Sequence, residues 1–170
     1  NFGPFQFTEK LIPLVILKAI NGQKIPIYGD GKNVRDWLFV EDHIDALIIA
    51  ICKGEVGKTY CIGGGNQKTN IEIVNQICEI VDKKLKKKDP TKNNIIFVSD
   101  RPGHDKRYAI DSNFIKCELG WKPNHNFEDA LKETIYWYIN NLDWCKKIQL
   151  KSNYSGERLG ININEFNNKK

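Results

Sequence analysis

The strand-like runs of this chain are short, and turn residues or helix caps bound each of them. Lys24-Ile25-Pro26-Ile27-Tyr28-Gly29, Val34-Arg35-Asp36-Trp37-Leu38-Phe39-Val40, Thr59-Tyr60-Cys61-Ile62 and Ile95-Ile96-Phe97-Val98 read as strands, because β-branched and aromatic residues dominate them. Pro26 makes the first an edge strand, since proline cannot donate to a central ladder. The second ends at a helix start, and the last should be buried. Strands this short, alternating with more numerous helices and without any repeat, predict a mixed α/β chain. They suit a substrate-binding lobe better than a complete doubly wound sheet.

Helical periods fill the intervals. Leu11 to Ile20 is apolar on most faces, holds Pro13 in its first turn and ends at Asn21-Gly22, which predicts a buried helix. Asp30-Gly31-Lys32-Asn33 is a hairpin-type turn. Glu41-Asp42 caps a helix from His43 to Lys53 with Ile44, Leu47, Ile48 and Ile51 on one apolar face. Gly63-Gly64-Gly65 is neither a dinucleotide fingerprint nor a Walker loop, and predicts a wide turn where backbone approaches a neighbour. Asn70 caps a helix with Ile73, Ile77, Ile80 and Val81 inward; Asp111 to Leu119 is a short helix closed by Gly120. Phe127 to Asn140 packs through Phe127, Ala130, Leu131, Thr134, Ile135 and Tyr138. Beyond Lys146 the period is lost, which divides the chain into a folded part, 1–145, and a tail, 146–170.

The 170 residues, 41% hydrophobic and 28% charged, fit one soluble domain. The longest apolar stretches, Leu11 to Leu17 and Ala46 to Cys52, are too short to span a bilayer, and the start carries no signal-peptide pattern. No membrane partner is expected. Cys52, Cys61, Cys78, Cys117 and Cys145 are widely spaced, odd in number and free of CxxC pairs, which predicts a reduced, cytoplasmic protein with Cys52 and Cys78 as core fillers. The net charge of +5 owes much to Lys83-Lys84-Leu85-Lys86-Lys87-Lys88. One lysine run without interleaved aromatics reads as a solvated face, and no nucleic-acid partner is expected.

Chemistry concentrates in Ser99-Asp100-Arg101-Pro102-Gly103-His104-Asp105-Lys106-Arg107-Tyr108, a loop following the last strand. Arginine presents a planar fork of donors to phosphate or carboxylate oxygens, and histidine adds another donor. The loop therefore reads as an anion clamp, suited to a diphosphate, with a solvated charged turn as the alternative. Arg35 sits early in an otherwise apolar strand, where an uncompensated guanidinium wants an anion or an ion pair with Asp36 or another carboxylate. Tyr28 offers a flat stacking face or a core-packing group. His43, at a helix start, reads as structural or exposed.

Two motifs, Asn1-Phe2-Gly3-Pro4-Phe5 running on to Pro13 and Arg35-Asp36-Trp37-Leu38-Phe39-Val40-Glu41-Asp42-His43, resemble the extended short-chain dehydrogenase/reductase superfamily. Asp100-Arg101-Pro102-Gly103-His104-Asp105-Lys106-Arg107-Tyr108-Ala109-Ile110-Asp111, with Leu119-Gly120-Trp121-Lys122-Pro123, is similar to the dTDP-glucose 4,6-dehydratase family within it. The resemblance covers residues 1 to 145 and matches the family's C-terminal half. It implies the substrate-binding lobe of an NAD(P)-binding Rossmann-like enzyme, with the Rossmann core missing from this chain. The glycine fingerprint, the Tyr-x-x-x-Lys pair and the acid/base segment would lie upstream of Asn1, so the chain is expected to be a fragment without catalytic residues.

By that resemblance, Asn1 stands near NAD. Lys10 and Leu11 touch the sugar nucleotide, and Pro26, Ile27 and Tyr28 line the base pocket. Arg35, Arg101 and His104 hold the diphosphate within the stretch Asp100, Arg101, Pro102, Gly103, His104, with Asn70 alongside and Tyr154 over the nucleotide. The implied substrate is dTDP-glucose, converted to dTDP-4-dehydro-6-deoxyglucose and water, and the implied full-length state a homodimer. A UDP-glucose 4,6-dehydratase or epimerase, and a non-catalytic nucleotide-sugar-binding module, are the alternatives. Phe2 and Phe5 replace tyrosines and Thr8 a proline common in the family.

Overall fold

A computed structural model describes residues 1–154. Helix α1 (Leu11–Ile20) buries Ile12 through Leu17 and Ala19, so neighbours meet its apolar circumference on nearly every side. Strand β1 (Ile25–Tyr28) follows and is buried throughout. The turn at 30–33 does not make a hairpin. Strand β1 pairs in parallel with β4 (Ile95–Val98), Ile25 opposite Ile95 and Tyr28 opposite Val98. Strand β2 (Val34–Asp36) pairs antiparallel with β3 (Gln67–Thr69). The turn carries the chain from one two-stranded sheet to the other because its carbonyls serve a helix start: Asn70 N–H donates to the Asn33 carbonyl, and Ile71 N–H to that of Gly31.

Strand β2 ends at Asp36 rather than at Val40, and helix α2 (Val40–Lys53) begins ahead of the expected His43. Ile44, Leu47, Ile48 and Ile51 share one face, as their spacing requires, but that face is exposed, Ile51 at 83%. The residues of α2 that are buried are Asp42 and Ala46. Thr59 to Ile62 alternates as a one-faced strand does, with Tyr60 and Ile62 half-buried and Thr59 and Cys61 exposed. It is not a strand, however, because among the described residues no strand lies beside it to complete a ladder. Strand β4 is half-buried rather than buried, with Phe97 59% exposed.

Helix α3 (Asn70–Leu85) is capped by Thr69, not Asn70. The Thr69 hydroxyl accepts from Glu72 N–H, and the Glu72 carboxylate accepts from Thr69 N–H at 2.7 Å. This reciprocal box satisfies two donors the helix end leaves over. Thr69→Ala should therefore cost about 1 kcal/mol in chemical denaturation. The lysine run after α3 is not simply solvated. Lys84 stands over the Tyr136 ring at 4.4 Å, and the Lys87 ammonium donates to the Ala19 carbonyl, where a cation suits the negative end of α1.

Helix α4 (Asn113–Leu119) ends at left-handed Gly120. Helix α5 (Phe127–Asn140) has the expected bounds and buries the six expected residues. Helix α6 (Leu142–Ser152) occupies the start of the expected tail, seating Cys145 in the core and Trp144 edge-on to Phe5 and Trp137; residues 155–170 of that tail lie outside the described residues. Cys78 is buried as expected, but Cys52 is exposed. The main core joins α1, α3, α5 and β1, with Phe2, Trp37 and Phe39. A second, smaller cluster holds Leu38, Ala46, Ile115 and Trp121. Asp42, 1% exposed, ties α2 to the turn before α5 by accepting from Asn124 N–H and the His125 ring. No helix of the described residues is long and apolar enough to cross a membrane.

Candidate functional site

A cleft of about 640 Å³ opens between the start of α1, the end of β1, strand β2 and the loop after β4. The loop is held at both ends. Upstream, Gly29 N–H donates to the Val98 carbonyl; downstream, Val34 N–H donates to Lys106 and Tyr108 N–H donates back to Val34. The loop thus joins the two sheets, and its side chains are carried to the cleft by backbone pairing. Pro102-Gly103 makes its bend, with Gly103 at φ +69°, a conformation that glycine adopts without strain. That bend returns His104 onto Asp100.

Arg35 is the best-fastened cation of the cleft. Its Nη1 donates to the Val34 carbonyl at 2.7 Å, its Nη2 to the Asp105 carbonyl at 3.0 Å, and its guanidinium lies over the Tyr108 ring at 4.5 Å. Nη2 also meets His104 Nε2 at 2.9 Å. The ion pair with Asp36 does not form. The Asp36 carboxylate instead accepts from Gly64 N–H and Asn66 N–H at 3.0 and 2.9 Å. Burial lowers the Arg35 pKa, and the nearby positive charge of Arg101 acts in the same direction, while Tyr108, Asp105 and Asp100 pull the other way. Two guanidiniums repel each other here, neither directly ion-paired to a carboxylate among the described residues, and Asp100 and Asp105 offset that repulsion only from a distance, an arrangement that favours an anion between them. The N-terminal end of α1, at Lys10, Leu11 and Ile12, also borders the cleft and brings its partial positive charge.

The structure gathers Asn1, Lys10, Leu11, Tyr28, Arg35, Asn70, Arg101 and His104 around this one cleft. Other expected site residues lie elsewhere. Ile27 belongs to the main core and Pro26 is buried beside it. Pro102 and Gly103 form the exposed bend. Asp100 accepts from Arg101 N–H at 2.9 Å and from the His104 ring, and the latter bond holds its carboxyl below the ordinary range. Tyr154 packs against Phe7, centroids 5.6 Å apart. Arg107 turns away and donates to Gln67 on β3. The Asn1 amide meets His43 Nδ1, giving His43 the structural role its position suggested.

Asp36, Trp37, Tyr108 and Ile110 also line the cleft; from sequence Asp36 figured only as the alternative partner of Arg35 and Tyr108 only as the end of the charged loop. Their roles are tertiary: Tyr108 becomes a platform through its pairing with Val34, and Asp36 a bracket for the 63–66 turn. That turn makes the expected close approach, since a Cβ on Gly64 would lie 2.3 Å from the Trp37 carbonyl oxygen. Among the described residues, no cluster of three or more His, Cys, Asp or Glu is arranged to hold a metal.

The family described as GDP-mannose 4,6 dehydratase matches residues 1–134. A dTDP-glucose 4,6-dehydratase of Xanthomonas campestris pv. campestris is 48% identical over 165 residues, covering 96% of this chain and 47% of that protein. One of Escherichia coli is 50% identical over 165 residues, covering 95% and 45%. The crystal structure of dTDP-glucose 4,6-dehydratase from Bacillus anthracis in complex with NAD superposes with a TM-score of 0.78 at 48% identity, over 87% of this chain and 45% of that one. The chain thus spans about half the length of the curated relatives it matches.

Proposed function

The chain belongs to the GDP-mannose 4,6-dehydratase family, and from that we propose that it supplies the nucleotide-sugar-binding part of a dTDP-glucose 4,6-dehydratase. The observation that carries this reading is the convergence of Arg35 and Arg101 on one cleft, with no carboxylate directly ion-paired to either among the described residues. A diphosphate carries the charge and the oxygen geometry that two arginine forks take up. Tyr28, at the end of β1 and 9% exposed, offers an aromatic wall for the nucleobase, and Asn70 and Lys10 supply polar contacts at the rim. The substrate is then dTDP-glucose and the product dTDP-4-dehydro-6-deoxyglucose, with loss of water.

The 63–65 turn leads into β3 rather than into a helix, and a Cβ on Gly63 or Gly64 would meet Asp36, Ile110 or the Trp37 carbonyl. The part of these residues is to bind and orient the nucleotide sugar, with Asn1 at the rim as their contact toward NAD.

Calorimetric titration of the full-length protein with thymidine 5′-diphosphate tests the reading. Binding is expected, together with formation of a 4-keto sugar from dTDP-glucose by the full-length enzyme and none by the 170-residue chain. Failure to bind thymidine diphosphate overturns the assignment of the cleft, and turnover by the 170 residues overturns the division of labour.

A further inference from the structure

We propose that His104 is a positioning residue, a neutral imidazole that relays the charge of Asp100 to Arg35 and so fixes the guanidinium in the cleft before a ligand arrives. This rests on the nucleotide reading above, in which Arg35 meets the diphosphate. It replaces the direct phosphate contact that the loop sequence suggests for His104.

The tautomer follows from the partners. Arg35 Nη2 can only donate, so the ring nitrogen facing it at 2.9 Å, Nε2, presents a lone pair. The ring proton is then on Nδ1, which donates to Asp100 Oδ1 at 2.7 Å. A doubly protonated ring would set N–H against N–H at the Arg35 contact. The His104 side chain is 5% exposed, which leaves little room for water to exchange with these partners.

The carboxylate at the far end is fixed as well. Asp100 Oδ1 accepts the backbone N–H of Arg101, and Gly29 leaves room for it, since a Cβ there would stand 3.1 Å from Oδ2. The chain Asp100–His104–Arg35 therefore runs from anchored anion to cation through a ring with one proton. With the Val34 and Asp105 carbonyls and the Tyr108 face, it holds the long Arg35 side chain in one conformation. A pre-ordered guanidinium loses less freedom on binding, which is where positioning becomes affinity.

The test is a double-mutant cycle read by calorimetry with thymidine 5′-diphosphate on the full-length protein, beside ¹⁵N-imidazole NMR of the unliganded wild type. His104→Phe should weaken binding about tenfold in wild type and hardly at all once Arg35→Ala is present, because it acts through that arginine. His104→Gln, whose amide can accept from Arg35 and donate to Asp100, should recover most of the loss. Equal losses in both backgrounds, or a Gln variant no better than Phe, overturn the proposal in favour of direct contact or simple packing. The NMR spectrum should show the Nδ1–H form; an Nε2–H or doubly protonated ring overturns the relay even if the wild type binds no nucleotide. That last result, absence of binding with the Nδ1–H ring present, removes the nucleotide reading while leaving the relay standing.

Discussion

Replacing Arg35 by alanine should weaken thymidine diphosphate binding to the full-length protein about ten- to a hundredfold. Charge-assisted hydrogen bonds contribute about 1.5–3 kcal/mol each, and 1.4 kcal/mol is a factor of ten. The upper part of that range is favoured because Arg35 is half-buried and already fastened by two backbone carbonyls and an aromatic face, so little order has to be gained on binding. Arg101 stands exposed on the loop with only its backbone N–H held, and its replacement should cost less, about three- to tenfold. Lysine at position 35 should not restore affinity, because a point ammonium cannot span the same acceptors as a fork. Arg107, bonded to Gln67, is the control and should change affinity less than about twofold. Equal small losses at all three positions, measured by calorimetric titration, would return the loop to a charged turn.

Asp42→Ala should destabilise the protein by about 1–3 kcal/mol, because it removes the buried acceptor that joins α2 to the turn before α5. The carboxylate is 1% exposed and receives Asn124 N–H at 2.9 Å, His125 N–H at 3.4 Å and the His125 ring at 2.9 Å. Those groups form the turn that enters α5, so their loss reaches the main core. The effect should depend on pH. The hydrogen bond to Asp42 raises the His125 pKa above its ordinary 6.5. A raised folded pKa means the contribution is fully present below 6.5 and is lost as pH rises through the folded value. Urea unfolding of wild type and Asp42→Asn should differ more at about pH 6 than at about pH 9. A difference that stays flat would mean that the Asp42 charge does not shift the His125 titration on folding.

The elements with local signals were legible in the sequence, and those that depend on a distant partner were not. Helix α5 carries its own cap at Asn126 and a stripe of six apolar or small residues, and both its ends and its buried face match the structure. Helix α1 needed only its apolar circumference and its terminal Asn21-Gly22. For α2, the spacing of Ile44, Leu47, Ile48 and Ile51 fixed which side is apolar but carried no information on whether anything covers it. At the site, the loop was identifiable because charged residues around Pro-Gly leave regular structure. The fastening of Arg35 was not, since it joins residues some seventy positions apart. The same limit hid the use of Asp36, which looked like the natural partner of its neighbour and instead brackets the glycine turn.

Trp37 gives the cleft its own optical reporter. Its indole N–H donates to the Lys68 carbonyl at 3.1 Å, and its ring lies among the cleft-lining residues at 9% exposure. Trp121 belongs to the second hydrophobic cluster, while Trp137 and Trp144 stand edge-on to each other beside Phe5. Trp37 thus stands where the cleft wall meets the main core, so a ligand entering beside Arg35 would act on an indole that the other three tryptophans do not share with the cleft.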